Sequence, residues 1–190
     1  MSAAVAGPDG RKRCPWALST PDYVAYHDHE WGRPVRGDDR LYERLTLEAF
    51  QSGLSWLTIL RKRENFRAAF AGFSIPAVAA FTDADVERLL ADPGIVRNRA
   101  KVVAAVRNAQ AAADLGPDGF DRLLWSFAPV VRRARPQTLA DVPAITPEST
   151  AMAKALKKCG FVFVGPTTAY AMMQATGMVN DHLVGCYAGK

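Results

Sequence analysis

The chain is predicted to fold as an all-α protein, and three observations carry that prediction. Apolar residues recur three and four apart through most segments after residue 38, strand-like alternation is scarce, and those segments are bracketed by helix-capping residues, prolines and glycines. With 190 residues, 49% of them hydrophobic, there is enough apolar surface for one sizeable core, or for two small lobes sharing a cleft. We expect a flexible tail over 1–11, rich in Ser, Ala, Gly and Pro, and a single helical domain over 12–190, with a proline-rich connector near 128–146 (Pro129, Pro136, Pro143, Pro147) between lobes. No stretch reaches the roughly 18 consecutive apolar residues of a membrane span. The N-terminal segment lacks the apolar run of a signal peptide, so a soluble cytoplasmic protein, with nothing requiring more than a monomer, is expected.

Taken in order, Cys14 to Gly37 is dense in Trp, Tyr and His and broken by Pro15, Pro21, Gly32 and Pro34. Its longest regular piece is Pro21–His27, a helical turn with Thr20 as cap and proline at the first helical position. Tyr23 and Tyr26 then share a face. Asp38-Asp39 can cap the helix Arg40–Ser52, and Gly53 makes a corner before a second helix, Ser55–Asn65, capped by Ser55. Further helices are expected over Pro76–Phe81, Asp83–Ala91, Arg99–Leu115, Gly119–Phe127, Pro147–Lys158 and Pro166–Thr176, giving about eight or nine in all.

Charge and cysteine content narrow the function classes. The net charge of +5 lies in clusters such as Arg61-Lys62-Arg63, Arg97-Asn98-Arg99-Ala100-Lys101 and Arg132-Arg133-Ala134-Arg135, which permits but does not require contact with a phosphate backbone. Three cysteines far apart argue against a disulfide framework and for a reducing compartment.

Three patterns carry chemistry. In Leu47-Glu48-Ala49-Phe50-Gln51-Ser52-Gly53-Leu54-Ser55-Trp56 the buried stripe of the first helix is marked by Leu41, Leu45 and Phe50, and Glu48 falls beside that stripe. A carboxylate there must be satisfied by the protein, reach water, or meet a ligand bearing donors or positive charge. Secondly, Gly94-Ile95-Val96 makes a tight turn between two helices, followed by Arg97, Arg99 and Lys101. Backbone N–H groups at such a turn, with full charges beside them, suit a sequence-independent grip on DNA phosphates. Thirdly, His182 and Cys186 stand four apart, which on one helical turn, capped by Asn180 or Asp181, makes half of a zinc site. Cys14 and His27, with His29 as a rival, can supply the other half. A Cys2His2 set drawn from both ends of the chain leaves no open coordination position and reads as structural. Cys159 has no partner in this scheme.

Together these pieces resemble the bacterial DNA-3-methyladenine glycosylases of the constitutive, zinc-containing type. The resemblance runs from about residue 12 to 187 through Cys14-Pro15-Trp16, Tyr26 to Gly32, Leu47-Glu48, Gln51 to Trp56, Arg61 to Asn65, Gly94 to Arg97, Trp125-Ser126-Phe127, Lys154 to Lys158, and Gly177 through His182 to Cys186. It implies a helix-hairpin-helix glycosylase of two helical lobes, its termini clipped by structural Zn2+ on Cys14, His27, His182 and Cys186. It also implies a base pocket of Trp16, Tyr23, Tyr26, Glu48 and Trp56, with Gly53 and Leu54 probing the gap left in the duplex. The partner would be double-stranded DNA carrying alkylated bases. Glu48 would read the amine edge of an extruded 3-methyladenine, and the reaction would be hydrolysis of its N-glycosidic bond without strand cleavage. Asp114, Asp118 and Asp121 read as helix-end and capping residues rather than as a general base. Competing readings are a zinc-stabilised lesion- or DNA-binding module without turnover, and a glycosylase for another damaged base.

Overall fold

The computed structural model describes residues 3–131 and 133–189. Met1 and Ser2 of the expected tail and Arg132 of the expected basic run lie outside the described residues. Nine α-helices occur among the described residues: α1 Pro21–His29, α2 Asp38–Gln51, α3 Trp56–Ala69, α4 Ile75–Ala79, α5 Asp83–Ala91, α6 Arg99–Asp114, α7 Gly119–Trp125, α8 Pro147–Lys158 and α9 Pro166–Ala175. Two short strands, β1 Val5–Ala6 and β2 Lys12–Arg13, pair antiparallel. Residues 5 and 6 of the stretch expected as a tail are therefore held against the start of the domain, and Asp9 adds an ion pair to Arg13 at 2.7 Å.

Caps explain most boundaries. Thr20, Ser55 and Thr146 each accept a backbone N–H from the first turn of α1, α3 and α8, while proline occupies the first turn of α1, α8 and α9, where its missing N–H costs nothing. Asp38 and Asp39 do something different from the expected capping of their own helix. The Asp38 carboxylate accepts Asp121 N–H in the first turn of α7 at 2.7 Å, and Asp39 accepts Ile75 N–H at the start of α4 at 2.8 Å. Asp121 returns the tie by accepting Gly37 N–H at 2.6 Å and the Arg36 guanidinium.

Helix α2 is the hub. From Leu45 to Phe50 all its side chains are buried, because α3, α4, α6, α7 and α9 all pack on it. A helix so enclosed must make Glu48 an interior residue. The main core gathers Leu41, Tyr42, Leu45 and Phe50 of α2 with Phe66, Phe70, Phe73, Leu89, Phe120, Leu156 and Tyr170. A separate small core, Cys14, Leu183 and Cys186, joins the two ends of the chain. Between α2 and α3 the corner is made at Gly53, whose φ of +80° is a left-handed conformation that costs glycine little.

Candidate active site and metal centre

A cleft of about 420 Å³ opens beside α2, lined by Trp16, Ser19, Tyr23, Tyr26, Trp31, Glu48, Gln51, Trp56, Ala171 and Gln174. Helix α1 contributes the two tyrosines on one face, as their spacing demands, and α3 begins with Trp56. The Tyr26 and Trp56 rings lie 5.4 Å apart at 45°, and Trp16 meets Tyr23 and Trp31 edge-on at 5.7 and 5.1 Å. The Tyr23 hydroxyl accepts Leu57 N–H at 2.9 Å, which ties α1 to the first turn of α3. All five residues expected in the base pocket thus line one cleft. Trp31, Gln51 and Gln174 line it too and were missed. Gln174 carried the signal that exposed Glu48: a lone polar group in an apolar helix, Ala169 to Ala175.

Glu48 is 7% exposed. Burial pushes its carboxyl up to about 8, with the Arg44 charge pulling weakly the other way. The charged groups around it largely satisfy one another. Glu30, at the end of α1, accepts from Arg63 of α3 at 2.6 Å and from Arg44 of α2 at 3.1 Å. The Tyr26 phenol is held neutral, by burial first and by the Glu48 charge second. Trp56 Nε1 is buried without a hydrogen-bond partner. A carboxyl therefore lines one aromatic cleft, an arrangement suited to a flat ligand that can donate a hydrogen bond and that tolerates or carries positive charge. Glu48 is the one carboxylate among the described lining residues; Asp121 is bound to Arg36, and Asp118 starts α7 elsewhere.

At the expected phosphate turn, Gly94-Ile95-Val96, the polar groups of Gly94 are committed internally. Asp92 accepts Gly94 N–H at 2.7 Å, Lys62 and Asn65 donate to the Gly94 carbonyl, and Ile95 is buried in the core. Arg99 pairs with Glu87 at 2.7 Å, and Arg97 is exposed. Lys101 departs from the expectation of a DNA contact. It is 7% exposed, and its ammonium donates to the carbonyls of Phe50 and Ser52. A cation at the C-terminus of α2 satisfies carbonyls that the helix cannot, and so it props up the Gly53-Leu54 corner from below. Leu54 itself is 40% exposed.

A second turn lies between α8 and α9. Gly160 and Phe163 have φ of +93° and +62°, Phe163 is exposed, and Gly165 begins α9 with no side-chain cap. Arg107 and Lys157 line the hollow beside this turn. Asn108 of α6 anchors it by exchanging hydrogen bonds with Val162 at 2.8 and 3.0 Å.

At the junction of the termini, the donor atoms of Cys14, His27, His182 and Cys186 lie within 4.8 Å of one another, all buried. Cys186 Sγ is 3.4 Å from His27 Nε2 and 3.6 Å from His182 Nδ1. Tetrahedral zinc, with bonds of about 2.0–2.3 Å, sets its donors roughly 3.3–3.8 Å apart. Each imidazole has its other nitrogen on an oxygen: His27 Nδ1 on Asp28 at 2.8 Å, His182 Nε2 on the Trp31 carbonyl at 3.2 Å. That fixes the ring orientation metal ligation needs. Asp28 is held in turn by Arg13. Burial works against its ionisation, yet the hydrogen bonds from Arg13, Tyr187 and His27 keep its carboxyl well below the usual range. His182 and Cys186 are not on a helical turn as expected. Gly185, at φ +84°, reverses the loop, Asn180 Oδ1 accepts His182 N–H at 3.3 Å, and Arg135 donates to the carbonyls of His182, Leu183 and Cys186.

The family model for methyladenine glycosylases matches residues 16–189. The chain belongs to the methyladenine glycosylase family. It is 48% identical over 180 residues to DNA-3-methyladenine glycosylase 1 of Escherichia coli strain K12, covering 92% of this chain and 95% of that one. A crystal structure of 3-methyladenine DNA glycosylase I superposes with a TM-score of 0.88 at 46% identity, over 92% of this chain and 98% of the other. A structure describing 3-methyladenine recognition by the Staphylococcus aureus enzyme superposes at 0.87 with 34% identity, over 94% and 96% of the two chains. In this methyladenine glycosylase family member no helix among the described residues is long and apolar enough to cross a membrane.

The raised Glu48 pKa has a stability consequence with a definite sign. Between the ordinary 4.5 and about 8 the unfolded chain loses this proton and the folded chain keeps it, so the ligand-free protein loses stability as pH rises through that window. Glu48→Gln removes the titration. Thermal or denaturant unfolding should show the variant gaining on wild type from pH 5 to pH 8, at up to about 1.4 kcal/mol per pH unit.

Proposed function

We propose that this chain is a monofunctional DNA-3-methyladenine glycosylase, which takes an alkylated nucleotide out of the duplex and hydrolyses the bond between base and sugar. The observation that carries this reading is the buried Glu48 carboxyl facing an aromatic cleft, in a chain close to the E. coli glycosylase over almost its whole length. An adenine methylated at N3 is cationic within DNA. Trp16, Tyr26 and Trp56 offer ring faces that favour a cation, and the cation lowers the cost of an ionised Glu48. Glu48 then accepts a hydrogen bond from the exocyclic amine, where a guanine lesion would present a carbonyl oxygen and be repelled. As the C1′–N9 bond breaks, its electron pair neutralises the departing base. Water adds at C1′ and gives up a proton to solvent. The charged leaving group supplies much of the driving force, in keeping with a cleft in which Glu48 is the one carboxylate among the described lining residues. Lys101 is engaged by two carbonyls, which argues against a lysine nucleophile and strand cleavage.

Double-stranded DNA is read here as crossing the Gly53-Leu54 corner, with Leu54 filling the gap left by the extruded base. The phosphate grip falls on the α8–α9 turn, where exposed Phe163 and the start of α9, without a side-chain cap, stand beside Arg107 and Lys157. Arg97 and Arg99 would lie at the margin. Cys14, His27, His182 and Cys186 fit zinc by donor type and spacing. Four protein ligands leave no position for water, so the metal would act as a structural clip.

Three outcomes test this reading. Base release from methylated duplex DNA should show wild-type kcat/KM for 3-methyladenine rising with pH and levelling near 8 as Glu48 ionises. Glu48→Gln should lose at least about tenfold and the pH dependence with it; a protein that binds duplex but releases no base would overturn the assignment. Cys186→Ala should lose bound zinc by metal analysis and melt several degrees lower. Arg107→Ala and Lys157→Ala should weaken duplex binding and each reduce the salt slope by about one, whereas Lys101→Met should chiefly lower stability.

A further inference from the structure

The cleft contains a second polar side chain whose orientation is fixed from outside it. Gln174 lines the cleft from α9, and its amide nitrogen donates to Asp181 Oδ2 at 2.8 Å. The same carboxylate oxygen accepts the Tyr170 hydroxyl at 2.6 Å. An ionised carboxylate only accepts, so the amide must turn its nitrogen to Asp181. Asp181 is not among the residues lining the cleft. With its nitrogen drawn to Asp181, the amide turns its carbonyl oxygen to the other side, and that oxygen is the acceptor it keeps for a ligand.

We propose that Gln174 is a second base-reading residue, its carbonyl oxygen held toward the cleft by Asp181 to accept a hydrogen of an adenine exocyclic amine. This rests on the reading of the cleft as a pocket for an adenine lesion. An exocyclic amine presents two hydrogens, so two acceptors can share it; a guanine carbonyl in the same place meets two acceptors and donates to neither. Glu48 alone is an ambiguous reader. While it carries a proton it can donate to a carbonyl as readily as it accepts from an amine. Gln174 does not titrate, and its locked amide keeps the preference whatever the state of Glu48. Asp181 and Tyr170 are positioning residues in this scheme.

The test is release of 3-methyladenine and 3-methylguanine from the same methylated duplex DNA by the full chain, as wild type, Gln174→Leu and Asp181→Asn, with free-base affinities from calorimetry. Gln174→Leu keeps the side-chain volume and should lower kcat/KM and affinity for 3-methyladenine about tenfold, leaving the 3-methylguanine values unchanged or raised. Asp181→Asn frees the amide to turn over and should shift the ratio in the same direction by less. Melting temperature and bound metal should stay at wild-type values in Gln174→Leu; Gln174→Met replaces it if it does not fold. An unchanged ratio in the Gln174 variant, or an equal fall for both bases, overturns the proposal. A wild type that releases neither base overturns the underlying glycosylase reading instead.

Discussion

The four-residue cluster joining the two ends of the chain is the constraint on which the cleft depends. Core packing in that corner is thin: Cys14, Leu183 and Cys186, with Trp16 and Trp31 leaning on them. The rings that form one wall of the cleft are the same rings that pack on the cluster. Trp16 meets His27 at 5.2 Å, and Trp31 meets His182 at 4.7 Å. His27 lies on α1 between Tyr26 and Asp28, so whatever holds His27 also sets the register of Tyr23 and Tyr26. A metal bound by all four donors would supply there the cohesion that apolar burial supplies elsewhere. Close contact is enforced as well: a Cβ on Gly32 would come within 2.9 Å of His182 Nε2, so the residue after Trp31 must be small for the imidazole to reach its place.

Against that fixed wall, the other side of the cleft is built at a cost in stability. Helix α2 is enclosed by five neighbours, yet it carries an acid whose ionisation burial opposes. Nearby charges are arranged so that they do not simply quench it. Arg44 and Arg63 are both drawn to Glu30, which leaves Glu48 in a mildly positive field without a direct partner. A carboxyl kept in that condition responds to an incoming cation far more than one already in an ion pair.

Much of this was legible in the sequence, and what was not has a common cause. Helices could be read because their signals are local: Thr20, Ser55 and Thr146 cap the elements they precede, and Pro21, Pro147 and Pro166 sit where a missing N–H is harmless. Glu48 and the pairing of His27 with His182 could be read because such residues are conspicuous in apolar or short-spaced surroundings. Lys101 could not, since a lysine after two arginines looks solvated until the C-terminus of α2 is known to lie against it. The ties of Gly94 to Asp92, Lys62 and Asn65 were hidden for the same reason, since two of these partners stand on α3. Asp38 and Asp39 likewise cap helices α7 and α4, far along the chain. Partner identity is a tertiary fact, and charge in sequence does not reveal it.

Helix α6 shows what the tertiary arrangement adds. Lys101 and Asn108 are seven residues apart, nearly two turns, and so lie on one face about 10 Å from each other along the axis. The first supports the Gly53-Leu54 corner and the second supports the α8–α9 turn. A single rigid helix therefore sets the separation between the exposed Leu54 and the exposed Phe163, with Arg107 at the second of these positions. If a duplex is gripped at one point and opened at the other, the distance between the two must be constant, because a flexible spacing would let the backbone slide without presenting a base to the cleft. Buried side chains on α6 that look purely structural would then carry part of the recognition. Their contribution comes from holding two loops apart at a fixed spacing, without touching DNA.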